Sequence, residues 1–324
     1  MVAVNSLQAR AIIALAGVWC ALAYPRQAVD FRAKIGRWPR PAFPVFLNDK
    51  YAWRKIFDRN PLFTVVSDKL QAKQFATTHC QTIKASRTLW TGSRAEDIPD
   101  DILAGDVVVK ANHGSGWNIF INNGRYVRAD LNRQANIWMD RRFGRRHAEW
   151  GYYGVEPVLF VEEMLVDHGR PVVDEYKFYC GAGKMAFAFV RQAGPDGYRI
   201  EGVLDDNGQP RPGAFDAGEL SAAVRAPAEW PKLRQAALTL SHHFDFVRCD
   251  LYLVNGDVYF SEFTLYTLGG FAWIDDPGLN ALYTDTWDLR NSWFMQTPQS
   301  SWRRYYADAL RVLLTEKDRA QSCA

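Results

Sequence analysis

The chain has 324 residues, 48% hydrophobic and 23% charged, a globular composition that excludes a disordered or fibrous chain and suits one large domain or two lobes around a cleft. A net charge of +3 and a pI near 8.5 fall short of the cationic footprint of a nucleic-acid binder. Five scattered cysteines (Cys20, Cys80, Cys180, Cys249 and Cys323) form neither a C-x-x-C metal site nor an even disulfide framework, so a reducing compartment is expected.

Residues 1–45 read as a peripheral arm. Within it, residues 11–23 are apolar and follow Arg10, and Ala21-Leu22-Ala23 resembles a signal-peptidase site. The run is short for a membrane span, so it is expected to be a buried or membrane-touching helix. A basic stretch with Arg37, Pro39, Arg40, Pro41 and Pro44 follows. Residues 48–60 predict a helix ending before Pro61, and Asp68 is placed to cap the next one. Asp106–Ala111 predicts a buried strand, followed by the turn His113-Gly114-Ser115-Gly116. Asn118–Asn122 predicts a strand, with a turn at Asn123-Gly124 and a return strand at Tyr126-Val127. Residues 131–150 predict a helix whose basic patch, Arg141 to Arg146, reads as a solvated face. Val158–Leu165 predicts a strand, and Glu175–Cys180 with Met185–Arg191 a hairpin. After a helix over 229–243 comes a second hairpin, Phe246–Val254 with Val258–Leu265, around the type I′ signal Asn255-Gly256. Residues 301–316 predict a closing helix. The whole is α+β with antiparallel hairpins, lacking the βαβ alternation of a Rossmann fold. The expected division is an arm over 1–45, a two-lobed domain over 46–300 (46–160 and 161–300), and a tail over 301–324.

Three groups of residues carry chemistry. The first is the second hairpin, which sets Asp250 and Glu262 on neighbouring strands. Carboxylates that meet across a tight hairpin repel unless a cation sits between them, and Mg²⁺ is the natural occupant. Arg248 and Thr264 share their face by period-two spacing, and Arg248 offers phosphate a fork of donors. The second is Lys110, at the end of a buried strand and costly there without an anionic partner. Beside it the glycine turn presents backbone N–H groups suited to phosphates, although no Walker A loop is present. His113 in this turn is a candidate base or a structural histidine. The third is Glu175 with Lys177, alternating with aromatics on one strand face, and Arg191 on the partner strand.

The phrases SDKLQAKQFA, VVVKANHGSGWNIF, DEYKFYCGAGK and VRCDLYLVNGDVYFSEFTLYTLGG, spread over roughly residues 45–275, resemble the TupA-like family of the ATP-grasp superfamily, a family named for teichuronopeptide synthesis and associated with cell-surface polysaccharides. The resemblance implies two α+β lobes with antiparallel sheets gripping ATP. It implies that Lys69 and Lys110 hold the phosphates beside His113, Gly114, Ser115 and Gly116. Glu162, Glu163 and Leu165 would form the hinge against adenine, with Glu175 on the ribose. Lys177, Arg191 and Arg248 would neutralise the transferred phosphoryl group, and Asp250, Glu262 and Thr264 would ligate Mg²⁺. The superfamily usually has Asn where Thr264 stands, which puts the affinity for a second ion in doubt. The implied activity is ATP-dependent joining of a carboxylate to an amine through an acyl phosphate, on small-molecule, sugar or peptide substrates. Use of ATP implies a cytoplasmic location, with the N-terminal helix a candidate for peripheral membrane contact. Nucleic acid is not an expected partner, and the oligomeric state is open. Alternative readings are a glycosyltransferase, for which no Asp-x-Asp spacing is found, a non-catalytic nucleotide-binding protein, and a kinase of the same superfamily. Tyr266, Gly269, Gly270 and Trp273 are expected to border the acceptor pocket.

Overall fold

The period-two runs pair into two main, largely antiparallel sheets. The computed structural model describes residues 4–169, 173–193, 199–215, 218–272 and 274–322; Trp273 and Cys323 lie outside them. The strands are β1 (Lys84–Ala85), β2 (Thr88–Gly92), β3 (Val107–Ala111), β4 (Asn118–Ile121), β5 (Leu159–Glu163), β6 (Asp174–Gly181), β7 (Lys184–Ala193), β8 (Arg199–Leu204), β9 (Pro210–Arg211), β10 (Ala214–Phe215), β11 (Gly218–Glu219), β12 (Val247–Val254) and β13 (Asp257–Thr264). The helices are α1 (Ser6–Ala23), α2 (Pro25–Ile35), α3 (Leu47–Ile56), α4 (Leu62–Ser67), α5 (Lys69–His79), α6 (Asp100–Leu103), α7 (Arg128–Asp140), α8 (Trp230–Ser241), α9 (Pro277–Thr286), α10 (Trp293–Gln296) and α11 (Ser301–Ser322).

The smaller main sheet has the order β2-β5-β3-β4 and the larger β1-β13-β12-β6-β7-β8-β9, while β10 and β11 pair apart as a two-stranded antiparallel ribbon. Only the short β1–β13 pairing is parallel among those of the larger sheet. The fold is thus mixed α+β with antiparallel sheets and N-terminal helices, as expected.

Alternation along each strand decides which face is covered. On the smaller sheet Val107, Val109, Leu159 and Val161 pack with Leu131, Ala135 and Trp138 of α7. Their neighbours Lys110 and Glu162 therefore look the other way. On the larger sheet Phe178 lies 5.3 Å from the Trp230 ring of α8, and Leu233, Ala236, Ala237 and Leu240 of that helix are buried. The intervening Lys177, Arg248 and Asp250 face away from α8. Helix α3 is tied in by Arg54, fully buried, whose guanidinium donates to Asp245 Oδ1 and to the Leu265 and Phe246 carbonyls, each at 2.8 Å.

Three expected elements differ. Tyr126-Val127 is not a strand: after the Asn123-Gly124 turn a lone Asn122–Arg125 bridge forms and the chain enters α7 at Arg128. That helix ends at Asp140, not near residue 150. The segment beyond turns at Gly144 (φ 79°) and Ala148 (φ 54°), conformations a helix cannot hold. The strand read as 158–165 spans Leu159–Glu163, so a division at residue 160 falls inside β5.

Candidate active site

The β12–β13 hairpin closes at Asn255 (φ 50°) and Gly256 (φ 80°), the two positive dihedrals of a type I′ turn. Asp250 stands opposite Glu262 on β13 and opposite Lys177 on β6. The register slips just beyond, pairing Leu251 with Phe260, so Ser261 is an extra residue in β13. Such a bulge re-aims side chains, and here Ser261 and Glu262 both border one cleft.

A chain of ion pairs crosses this face. Arg248 forks onto Asp250 (Nε–Oδ1 2.7 Å, Nη2–Oδ2 2.6 Å) and reaches Glu262 Oε1 at 3.3 Å. Lys177 lies 3.1 Å from Asp250 Oδ2 and 2.9 Å from Glu175 Oε1. Arg191, opposite Glu175 in register, lies 3.7 Å from Glu175 and 2.6 Å from Glu201. Lys69 comes from α5 to Glu262 Oε2 at 2.9 Å. Burial would raise the Glu262 carboxyl, but Lys69 and Arg248 outweigh it and hold it at about 2. Burial opposes the charge on Arg248, yet Asp250 raises its pKa well above the ordinary value.

The facing wall comes from the smaller sheet. Lys110 and Lys73 clasp opposite oxygens of Glu162, and Ser86 Oγ donates to Glu162 Oε2 at 2.9 Å. Burial would raise this carboxyl, but the two lysines hold it below the ordinary glutamate value. Asp68 caps α5, accepting from the Leu70 N–H at 2.9 Å. The Lys69 N–H donates to the Asn112 carbonyl at 3.0 Å, so the elements bearing Lys69 and Lys110 are joined at the backbone. The glycine turn has a packing reason: a Cβ on Gly114 would sit 2.3 Å from the Trp117 ring folded over it, and Gly116 has φ 71°.

The cleft between the walls has a volume of about 550 Å³. Of the residues expected from sequence, Lys69, Lys110, Ser115, Gly116, Glu175, Lys177, Arg191, Arg248 and Glu262 line it. Asp250 lies beneath its floor, fully buried, and Glu162 is buried behind its lysines. Thr264 pairs with Arg248 in register but is not in the lining. His113 is also outside it, buried, with Nδ1 at 3.1 Å from Asn112 Oδ1 and Nε2 at 3.1 Å from the Trp138 carbonyl. Those contacts join the strand end to α7, and burial lowers its pKa. Gly114 serves Trp117 packing. The Glu163 and Met164 N–H groups already donate to the Arg87 and Asp106 carbonyls, leaving Leu165 beyond that ladder. Tyr266 is buried and Gly270 packs on Tyr51; Thr267 and Leu268 reach the cleft from that loop instead.

Sequence reasoning missed Lys73, Tyr179, Glu201, Tyr252 and Ser261. Lys73 had a readable signal, since it follows Lys69 by one helical turn. Ser261 had none, because a bulge breaks the period-two rule.

Asp250 and Glu262 share one register position, but Arg248 and Lys177 hold both Asp250 oxygens and Lys69 and Arg248 both Glu262 oxygens, so Mg²⁺ there would have to displace these cations. Among the described residues no cluster of three or more His, Cys, Asp or Glu side chains assembles as a metal site.

Comparison with solved structures finds similarity to the D-alanine–D-alanine ligase of Bacillus anthracis complexed with ATP (14% identity, 62% of this chain and 55% of that one, TM-score 0.38). The ATP-grasp ligase PsnB complexed with a minimal precursor is similar at 12% identity (69% and 63%, TM-score 0.39). The macrocyclase MdnC of Microcystis aeruginosa MRC, bound with precursor peptide MdnA, is similar at 10% identity (74% and 67%, TM-score 0.38). The chain thus spans between about half and two thirds of the length of these proteins. No curated protein matches the chain significantly. The β12–β13 hairpin lies beyond the stretch matched by a family model, and that stretch, residues 49–194, matches the TupA-like ATP-grasp family.

Proposed function

We propose that this chain is an ATP-dependent carboxylate–amine ligase acting through an acyl phosphate. The observation that carries the reading is the convergence of Lys69, Lys110, Lys177, Arg191 and Arg248, each from a different element, on one cleft above the Asp250–Glu262 pair. A polyphosphate beside a substrate carboxylate needs that density of positive charge.

In this reading Lys69 and Lys110 hold the ATP phosphates from opposite walls, and the Ser115–Gly116 turn covers them. Asp250 and Glu262 would hold Mg²⁺, with Thr264 two residues beyond Glu262 on the same strand. When bound, Mg²⁺ would supply charge neutralisation at the phosphates. A substrate carboxylate oxygen bonds to the γ-phosphorus as the bond to the β-phosphate oxygen breaks, and ADP leaves. Lys177, Arg191 and Arg248 balance the charge that spreads over the phosphoryl oxygens. An amine then attacks the acyl carbon, inorganic phosphate departs and the amine loses its proton. In this reading Arg248, which lines the cleft, would hold the oxyanion of the tetrahedral intermediate. The ribose falls to Glu175 and adenine to the segment around Leu165. The substrates proposed are an amino-acid or uronic-acid-type carboxylate and an amine on a sugar or peptide, in cytoplasmic reactions that build cell-surface polymers, as the sequence resemblance to the TupA-like family implies.

The test is incubation with Mg·ATP, a panel of such acids, and hydroxylamine. Phosphate release with hydroxamate formation is expected, and its loss in Asp250→Asn. Phosphoryl transfer to a hydroxyl without hydroxamate would replace the ligase by a kinase. Absence of ATP binding would overturn the reading.

A further inference from the structure

The outward face of α1 is apolar along its length. Leu7, Ala11, Leu15, Val18 and Leu22 recur at three- and four-residue spacing, and Leu7, Leu15 and Leu22 are 79%, 71% and 77% exposed. A helix on the surface of a globular protein normally turns its polar side outward. The other side of α1 belongs to the fold: Ala9, Ala16 and Cys20 are buried, Ala9 against Ala309 and Leu313 of α11. The Trp19 and Trp302 rings meet at 4.8 Å. Crossing a bilayer would strip α1 from α11, and its 18 residues extend only about 27 Å.

The apolar face continues past the C-terminal end of the helix. At the α1–α2 junction a cavity of about 400 Å³ is lined by Ala21, Tyr24, Val29 and Trp38 among others, and Val29 and Trp38 are more than half exposed. Towards the start of the helix, Ala11 shares a groove with Arg304, Tyr305 and Asp308 of α11. The arm that carries this face is basic, although Arg10 lies 3.6 Å from Glu316 and Arg37 3.0 Å from Asp49. Residues 1–45 hold six Lys and Arg against one acid, Asp30, a local excess of +5 in a chain whose total is +3. Arg26, Arg32, Lys34 and Arg40 are exposed, and Arg32 stacks on Trp38 at 5.1 Å.

We propose that this face docks flat on an anionic lipid bilayer, with the α1 stripe in the interfacial layer, Trp38 and Tyr305 at head-group level and the cations against lipid phosphates. Apolar stripe, amphipathic aromatics and basic flank together are the chemistry of an interfacial helix. A second copy of the chain is the weaker occupant, because it would set one +5 arm against another.

The test uses full-length protein with vesicles of phosphatidylcholine containing phosphatidylglycerol, and with vesicles of phosphatidylcholine alone. Binding to the anionic vesicles is expected, at least tenfold weaker on the neutral ones and weakened by salt. Leu15→Glu/Leu22→Glu should cut binding at least tenfold while leaving the melting temperature and ATP binding unchanged, since both positions are solvent-facing. Equal binding by wild type and variant would overturn the proposal. So would dimerisation in solution without vesicle binding, or membrane-bound protein that resists alkaline extraction as a spanning helix does. None of these readouts depends on ligase activity.

Discussion

Replacing Glu162 by Gln would leave Lys73 and Lys110 without their shared anion. The carboxylate is 5% exposed, and the two lysines are 11% and 23% exposed. Breaking a buried pair by removing one partner costs about 3–5 kcal/mol. Lys110 borders the cleft and can turn toward water, so the lower end applies, about 3 kcal/mol. At about 2.1 cal/mol/K of unfolding entropy per residue, that corresponds to a fall of roughly 4–5 °C in Tm for 324 residues. The pH dependence has a definite sign. The folded pKa of Glu162 lies below the ordinary 4.5, so its stabilisation is complete above 4.5 and is lost as pH falls through the folded value. Urea unfolding of wild type and Glu162→Gln at pH 7, repeated in acid, should show a gap that closes in acid. Adding Lys73→Met to Glu162→Gln should recover part of the loss, because one unpaired cation becomes an apolar chain of similar shape. A gap below about 0.5 kcal/mol at pH 7, the size of an ordinary surface substitution, would refute the reasoning. A gap unchanged in acid would do the same.

Arg248→Lys keeps the charge but removes the fork onto Asp250; a fall of roughly 10²-fold in kcat is expected, read as phosphate release with the far-ultraviolet circular dichroism unchanged. Gly114→Ala forces the Trp117 ring to move, costing about 1–3 kcal/mol by thermal melting and raising the KM for ATP. Thr264→Asn supplies a stronger oxygen donor beside Asp250 and Glu262, so the Mg²⁺ concentration for half-maximal activity should fall; an unchanged titration would remove Thr264 from the metal site. Glu262, held at about 2, contributes stability that is complete above 4.5 and lost between there and about 2, and Glu262→Gln should abolish that acid-sensitive component.

Much of the larger sheet was legible because its signals are local. Asn255-Gly256 fixes the hairpin, and the spacing of Arg248, Asp250, Glu262 and Thr264 fixes their common side. Glu175, Lys177 and Arg191 followed from the same alternation. The smaller wall was less legible. Glu162 pairs with lysines from α5 and β3, a tertiary arrangement that no spacing within β5 announces. His113 sits in a motif rich in exposed N–H groups, yet its ring is held under α7 between Asn112 Oδ1 and the Trp138 carbonyl, so the neighbours of a glycine turn need not share its exposure. The expected helix to residue 150 failed because the left-handed residues Gly144 and Ala148 interrupt an otherwise helix-compatible composition. Ser261 entered the cleft through a single inserted residue, which periodicity reads as noise.

Each lysine and arginine lining the cleft already has a carboxylate neighbour: Lys69 has Glu262, Lys110 has Glu162, Lys177 has Glu175 and Asp250, Arg191 has Glu175 and Glu201, and Arg248 has Asp250 and Glu262. A polyphosphate therefore enters by swapping partners, not by falling into a bare electropositive hole. Its affinity reflects the difference between two sets of counter-ions, so the ionic-strength dependence of binding should be shallow for a ligand of such high charge. The released carboxylates become free to take divalent ions in the same event. Nucleotide and metal would then bind with positive linkage, each raising the affinity for the other by the same factor.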